Sequence, residues 1–168
     1  MTFPVPHLLC LGVILVIGAA WDLAKRRIPN LVTGAAAVLG LVAQLIDRGW
    51  LSAASGLAAA VVSVALLYRP WVAGGIGGGD VKLAAGVAIW VGLESMIRYA
   101  LAVAAAGGVV ALAMYFSSRK AIRQDVRTNL TLAALQQTLP TVEVRAAGRA
   151  SVPYALAIAA GAAFALLT

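Results

Sequence analysis

Six apolar runs separated by polar gaps constrain this chain more than any other feature in it. They fall at about Leu8 to Trp21, Leu31 to Ile46, Leu51 to Tyr68, Val81 to Leu93, Met96 to Phe116 and Ala150 to Leu167. Most approach the roughly 20 apolar residues that carry a helix across a bilayer, where only a helix or a closed barrel can satisfy its own backbone. Hydrophobic residues are 62% of the 168 and charged ones 11%, whereas ordinary soluble domains have about 25% charged. The expectation is an all-α, polytopic membrane protein with about six transmembrane helices, forming one membrane-embedded domain over residues 1–168. The single Cys10 lies inside an apolar run, which excludes an internal disulfide and a Cys-x-x-Cys metal pair and leaves it as a small packing residue.

The net charge of +7 is sorted by side. Lys25, Arg26 and Arg27 fill the first gap, Arg69 and Lys82 flank the third, and Arg119, Lys120, Arg123, Arg127, Arg145 and Arg149 fill the fifth. The odd gaps thus hold eleven of the thirteen Lys and Arg residues, and the even gaps hold only Arg48 and Arg98. By the positive-inside rule the odd gaps are cytoplasmic and both termini are extracytoplasmic. A cleaved signal peptide at the start is excluded by charge, because no basic residue precedes the first apolar run and three follow it directly. The fifth gap, 117–149, reads as a cytoplasmic basic loop. Its amphipathic piece, Val126 to Leu139, lies on the inner membrane surface. No aromatic residue is interleaved there for base stacking, so its charges speak for topology and lipid contact and not for nucleic acid.

Among the acidic residues, Asp47, Glu94, Asp125 and Glu143 sit in gaps open to water. Asp22 closes the first apolar run and Asp80 opens the fourth, so the topology places both at the inner ends of their helices. The fourth run is short, about 13 residues or roughly 20 Å of helix against about 30 Å of hydrocarbon. Either its helix continues past Glu94 or Asp80 is drawn inward with the glycine-rich stretch Gly74 to Gly79. An ionisable group below the headgroups is a functional-site candidate. Two carboxyls in one pocket share a proton and titrate as a unit, which equips one to take a proton from water and the other to give one to a carbonyl oxygen. Taken alone, each aspartate also has a plain structural use: Asp80 as an N-cap, Asp22 as a partner for Lys25 or Arg26 one turn on. No Gly-Lys-Ser/Thr follows the glycines, so they do not form a phosphate loop.

Together these stretches resemble the prepilin peptidase family of membrane aspartic endopeptidases. The likeness rests on Asp22-Leu-Ala-Lys-Arg-Arg-Ile-Pro-Asn30, on Gly77-Gly78-Gly79-Asp80-Val81-Lys82-Leu83, which carries the family's Gly-x-Gly-Asp pattern, and more weakly on Val152-Pro-Tyr-Ala155. The resemblance implies that Asp22 and Asp80 are catalytic, that Gly77 and Gly79 let the Asp80 backbone turn toward its partner, and that Lys82 supports Asp80 or sits at headgroup level. It implies no metal or other cofactor. It further implies a substrate that is a type IV prepilin or pseudopilin, with a basic leader cut at the cytoplasmic face of the inner membrane, commonly after a glycine. Larger members carry Cys-x-x-Cys pairs and also N-methylate the product; this chain is similar to the short form of tight-adherence (Flp-type) pilus systems, and the likeness lends methyl transfer no support. Two other readings use the same residues: a small transporter or proton channel in which Asp22 and Asp80 relay ions beside a glycine-broken helix, and a non-catalytic scaffold of a secretion machine.

Overall fold

The computed structural model describes residues 4–25, 27–73, 76–117 and 154–167. Among them every element is helical: α1 (Val5–Lys25), α2 (Asn30–Arg48), α3 (Trp50–Val72), α4 (Gly78–Val91), α5 (Met96–Ser117), with a single 3-10 turn at Leu93–Ser95 before it, and α6 (Tyr154–Leu167). Each follows one of the six apolar runs. The loop expected beyond Ser117, with its amphipathic piece Val126 to Leu139, lies outside the described residues.

Four stretches are long and apolar enough to cross a membrane: α1, α2, α3 and Leu93–Ala113. α1 buries Leu11, Ile14, Leu15, Gly18, Ala19 and Asp22, a spacing of three and four that defines one helix face. The other faces of these helices leave Val13, Val16, Val38, Ile46 and Val61 exposed. A bundle in water would not present such a surface, and in lipid it is the expected one.

α4 and α6 are shorter, 14 residues each, or about 21 Å of rise. α4 takes the middle of the bundle. It packs on α2, α3 and α6 and more lightly on α5, and every residue from Gly86 to Val91 is buried. Close packing against α3 depends on Gly56, where an added Cβ would lie 2.6 Å from the carbonyl oxygen of Ile89. Between helices in lipid there is no hydrophobic drive, so such close backbone contact through small residues carries the association.

Side chains of α2 and α3 then close the far end of α4, where carbonyls lacking helical partners would otherwise stand unsatisfied in an apolar interior. The chain turns at Gly92, with φ of +69°, and its N–H returns to the Ala88 carbonyl at 2.9 Å. Gln44 is 1% exposed. Its Nε2 donates to the carbonyls of Ile89 at 2.9 Å and Trp90 at 3.2 Å, and its Oε1 accepts from Ser52 Oγ at 2.8 Å. Ser55 Oγ accepts the Leu93 N–H, and the Trp90 indole donates to the Ala36 carbonyl at 2.8 Å.

Gln44→Leu removes two donors from carbonyls that cannot reach water and takes the acceptor from Ser52. At about 1–3 kcal/mol per stranded buried group, the variant is expected to unfold several degrees below wild type in detergent, followed by circular dichroism. Gly34→Leu, at a position where an added Cβ meets nothing within 4 Å, is the matched control and is expected to leave the midpoint in place.

Candidate functional site

Asp22 is buried because of its phase on α1: it lies on the stripe of Leu11, Leu15 and Ala19, one turn before the helix ends at Lys25. Its neighbour Lys25 holds its ammonium 4.9 Å from the Trp21 ring centroid, a cation–π contact suited to a helix end at a membrane boundary. Arg26 lies outside the described residues.

Asp80 enters from α4, and the local geometry corrects two expectations. The N-cap of α4 is Gly77 (φ −71°, ψ 145°), so Asp80 is the third residue of the helix and not its cap. Its Oδ2 reaches back to accept the Gly77 N–H at 3.3 Å, the returning half of a capping box. Gly78 and Gly79 are helical, so these two glycines form the first turn of α4 and do not bend the chain; Gly74 and Gly75 lie outside the described residues. A Cβ at Gly77 would stand 2.9 Å from Asp80 Oδ2, and one at Gly79 would meet the Ile28 Cβ at 3.3 Å and the Ile28 backbone nitrogen at 3.4 Å.

The two motifs therefore touch. The segment Ile28-Pro29-Asn30 leads into α2 with Pro29 at its N-cap (φ −60°, ψ 141°), and Gly79 lies against it. One residue pair stitches the same seam: Lys82 Nζ donates to Asn30 Oδ1 at 3.0 Å. Lys82 thus places its ammonium at Asn30, and any support it gives Asp80 passes through the packing of α4 on the start of α2.

Asp22 and Asp80 are each 8% exposed and lie within electrostatic reach of each other. The other described acids are elsewhere: Asp47 holds His7 Nδ1 at 2.6 Å, joining α1 to α2 at the opposite end, and Glu94 is exposed in the 3-10 turn. Asp80 Oδ1 is buried and has no hydrogen-bond partner among the described residues. A buried carboxyl oxygen left in this state calls for a donor from water or a ligand.

Room for one lies alongside. A cavity of about 360 Å³ is lined by Asp80, Ser63, Tyr99 and Tyr154 and otherwise by apolar side chains of α3, α4, α5 and α6; Asp22 is not among its lining residues. Tyr154, in the first turn of α6, is half-buried and within electrostatic reach of Asp80. Its ring packs over α5 at Gly107, where a Cβ would lie 3.4 Å from Tyr154 Cε1. Sequence reasoning singled out Tyr154 only as part of a weak likeness. The available signal was a phenol at the start of a helix of small apolar residues, a place where a hydroxyl needs a reason. Among the described residues, no three His, Cys, Asp or Glu side chains gather, and the site consists of Asp80 and the phenol of Tyr154 on the lining of an apolar cavity, with the Asp22 carboxyl within electrostatic reach of Asp80.

One family model, described as the type IV leader peptidase family, matches residues 9–112. That interval runs from α1 into α5 and contains both aspartates and both touching motifs. Neither the curated proteins nor the solved structures gave a match.

The seam between α4 and α2 is testable without any assay of activity. Gly79→Val drives its side chain into the Ile28 backbone and is expected to lower stability by about 1–3 kcal/mol, the usual range for overpacking. Lys82→Met, which removes only the hydrogen bond to Asn30, is expected to cost less, and thermal unfolding in detergent ranks the two.

Proposed function

Since the chain belongs to the type IV leader peptidase family, a family of peptidases, we propose that it is an aspartic endopeptidase that cuts the basic leader from type IV prepilin or pseudopilin precursors. Asp22 and Asp80 are the catalytic pair in this reading. One observation carries it: two acidic side chains from different helices are buried together at helix ends, in a bundle whose other described acids lie apart from them.

The chemistry follows from the pair. With one proton shared between them, the ionised carboxyl takes a proton from water as the water oxygen bonds to the scissile carbonyl carbon, and the protonated carboxyl donates to the carbonyl oxygen. Collapse of the tetrahedral intermediate breaks the C–N bond, and the leaving nitrogen takes up the proton drawn from water. Gly77 contributes its N–H to Asp80 Oδ2. Gly79 and Lys82 hold the first turn of α4 against the start of α2, which keeps Asp80 at a constant height relative to α1.

The topology completes the reading. The charge pattern of the sequence supports this: by the positive-inside rule the gaps that follow Asp22 and precede Asp80 belong on the cytoplasmic side of the inner membrane, as the proposed reading requires. A leader that stays in the cytoplasm while its helix lies in lipid arrives at that face. An ion relay would be served better by carboxyls in mid-helix, near the bilayer midplane. Here one lies in a last turn and the other in a first.

Asp22→Asn and Asp80→Asn keep shape and remove acid–base chemistry; in the second, the amide oxygen still accepts the Gly77 N–H. Each is expected to slow processing of a type IV prepilin in isolated membranes by at least about 100-fold, at unchanged protein level. Normal processing by either variant overturns the dyad. Wild-type activity is expected to fall on both sides of an optimum pH, because the reaction needs one proton on the pair and not two or none.

A further inference from the structure

The two aspartates stand at opposite ends of helix dipoles. Asp80 is the third residue of α4, inside the first turn, where free backbone N–H groups favour an anion. Asp22 is in the last turn of α1, where free carbonyls disfavour one. Asp80 Oδ2 also accepts the Gly77 N–H at 3.3 Å. The backbone therefore divides a pair that two like carboxyls alone would leave symmetric.

Tyr154 falls on the Asp80 side of that division. Its helix, α6, is seated on α5 at two glycines. The Tyr154 ring lies on Gly107, where an added Cβ would be 3.4 Å from Cε1 and 3.7 Å from Cδ1, and Gly161 lies on Val103, where an added Cβ would be 2.9 Å from the backbone nitrogen. The seats are about 10 Å apart along α6, and Ala155, Ala157 and Ile158 between them are at most 2% exposed. So held, Tyr154 lines the same cavity as Asp80, with its phenol within electrostatic reach of the carboxyl.

The other described polar and charged groups near this end of the bundle are engaged or exposed. From α5, the Tyr99 hydroxyl donates to the Ala84 carbonyl at 3.2 Å; from α4, the Lys82 ammonium donates to Asn30 of α2 at 3.0 Å; from α1, Lys25 stands over the Trp21 ring. α3 brings Ser63 to the cavity, which does not titrate, and Arg27 and Arg69 are exposed. Asp80 Oδ1 is buried with no partner among the described residues. A phenol supplies a donor, and about 360 Å³ of cavity admits a water to carry it.

We propose that Tyr154 is a positioning residue of the pair: through one water its hydroxyl donates to the Asp80 carboxyl, so that Asp80 is held as the ionised base and the shared proton stays on Asp22 as the acid. The proposal rests on the peptidase reading and assigns the two roles within it. Asp80 takes a proton from the attacking water as the water oxygen bonds to the carbonyl carbon, and Asp22 gives its proton to the carbonyl oxygen. On collapse the C–N bond breaks, Asp80 passes its proton to the leaving nitrogen, and Asp22 recovers its own from the hydroxyl.

The pH dependence of kcat/KM on a type IV prepilin tests the assignment. Tyr154→Phe keeps the ring on Gly107 and removes the donor. Ionised Asp80 is then less favoured, so the pair holds its second proton to higher pH, and the acidic limb is expected to move up by about one pH unit. The alkaline limb, where Asp22 loses its proton beside an Asp80 already ionised, is expected to stay. Tyr68→Phe, which removes an exposed phenol of α3 beside Trp71, is expected to move neither. A shift confined to the acidic limb supports the proposal; movement of the alkaline limb, or a loss of rate with both limbs in place, overturns it.

A second measurement needs no cleavage. In the Asp22→Asn protein, the carboxyl stretch that disappears on adding Asp80→Asn belongs to Asp80, and infrared difference spectroscopy follows its protonation. Adding Tyr154→Phe instead is expected to raise its midpoint by about one pH unit, and an unmoved midpoint overturns the role of Tyr154. If wild-type protein cuts no prepilin, the peptidase reading fails while this titration still decides whether Tyr154 acts on Asp80. If prepilin is cut and neither the limb nor the midpoint moves, the proposal fails and the peptidase reading stands.

Discussion

How closely a backbone can approach α4 governs the rest of this bundle. A helix placed among other helices in lipid gains little from burial of apolar side chains, since lipid would serve them as well. It is held by contacts that lipid cannot make. The Ile89 carbonyl beside Gly56, the Gln44 amide on two terminal carbonyls and the Trp90 indole on the Ala36 carbonyl are contacts of that kind. They secure the far end of α4 to α2 and α3. The near end is then positioned by a different set, Gly79 against Ile28 and Lys82 on Asn30. With both ends tied to α2, Asp80 has little freedom to move along the bundle axis.

That rigidity matters because a carboxyl inside an apolar bundle is a large electrostatic burden. An ionised group there loses its hydration and recovers it only through nearby donors. Asp80 has one, the Gly77 N–H on Oδ2, and its other oxygen is buried with no partner among the described residues. Asp22 nearby adds like charge if both ionise. The combination that relieves both burdens is one proton held between two carboxyls with water or a peptide at the unpartnered oxygen. A cap or a surface ion pair would relieve neither. In the proposed reading such a site would store an acid and a base side by side, and the features that make it expensive to bury would equip it to hydrolyse an amide.

Much of this was legible in the residues, and the remainder was hidden for identifiable reasons. The six helices follow from apolar runs, and the burial of Asp22 follows from its phase with Leu11, Leu15 and Ala19 on α1. The central place of α4 was not read, although one clue existed: from Leu83 to Val91 its sequence is apolar on every side, the pattern of a helix surrounded by others. The glycine run misled because glycine in a helix costs about 1 kcal/mol relative to alanine, which argues for a loop. That penalty is outweighed where the first turn of α4 must lie against the Ile28 backbone, and only tertiary structure reveals the neighbour. The pairing of Lys82 with Asn30 is a long-range event with no local sequence signature, and a phenol at the start of α6 marks Tyr154 without telling which helix it meets.

A peptide bond within a helix is a poor substrate, because its carbonyl is already hydrogen-bonded and its neighbours shield it from water. Hydrolysis at a membrane therefore needs two environments at once: an apolar seat that keeps the substrate helix stable, and a place where the chain unwinds beside acid–base groups that water can reach. In the proposed reading, the apolar lining of the cavity would supply the first. The second would lie where Asp80 and Tyr154 line the same cavity, with Asp22 within electrostatic reach of Asp80. Had the carboxyls been at mid-helix, the scissile bond would have to unwind in hydrocarbon, stranding its N–H and carbonyl groups. In the proposed reading, their place in the last turn of α1 and the first turn of α4 would let the helical and extended parts of a substrate meet where the protein itself changes from helix to connecting segment.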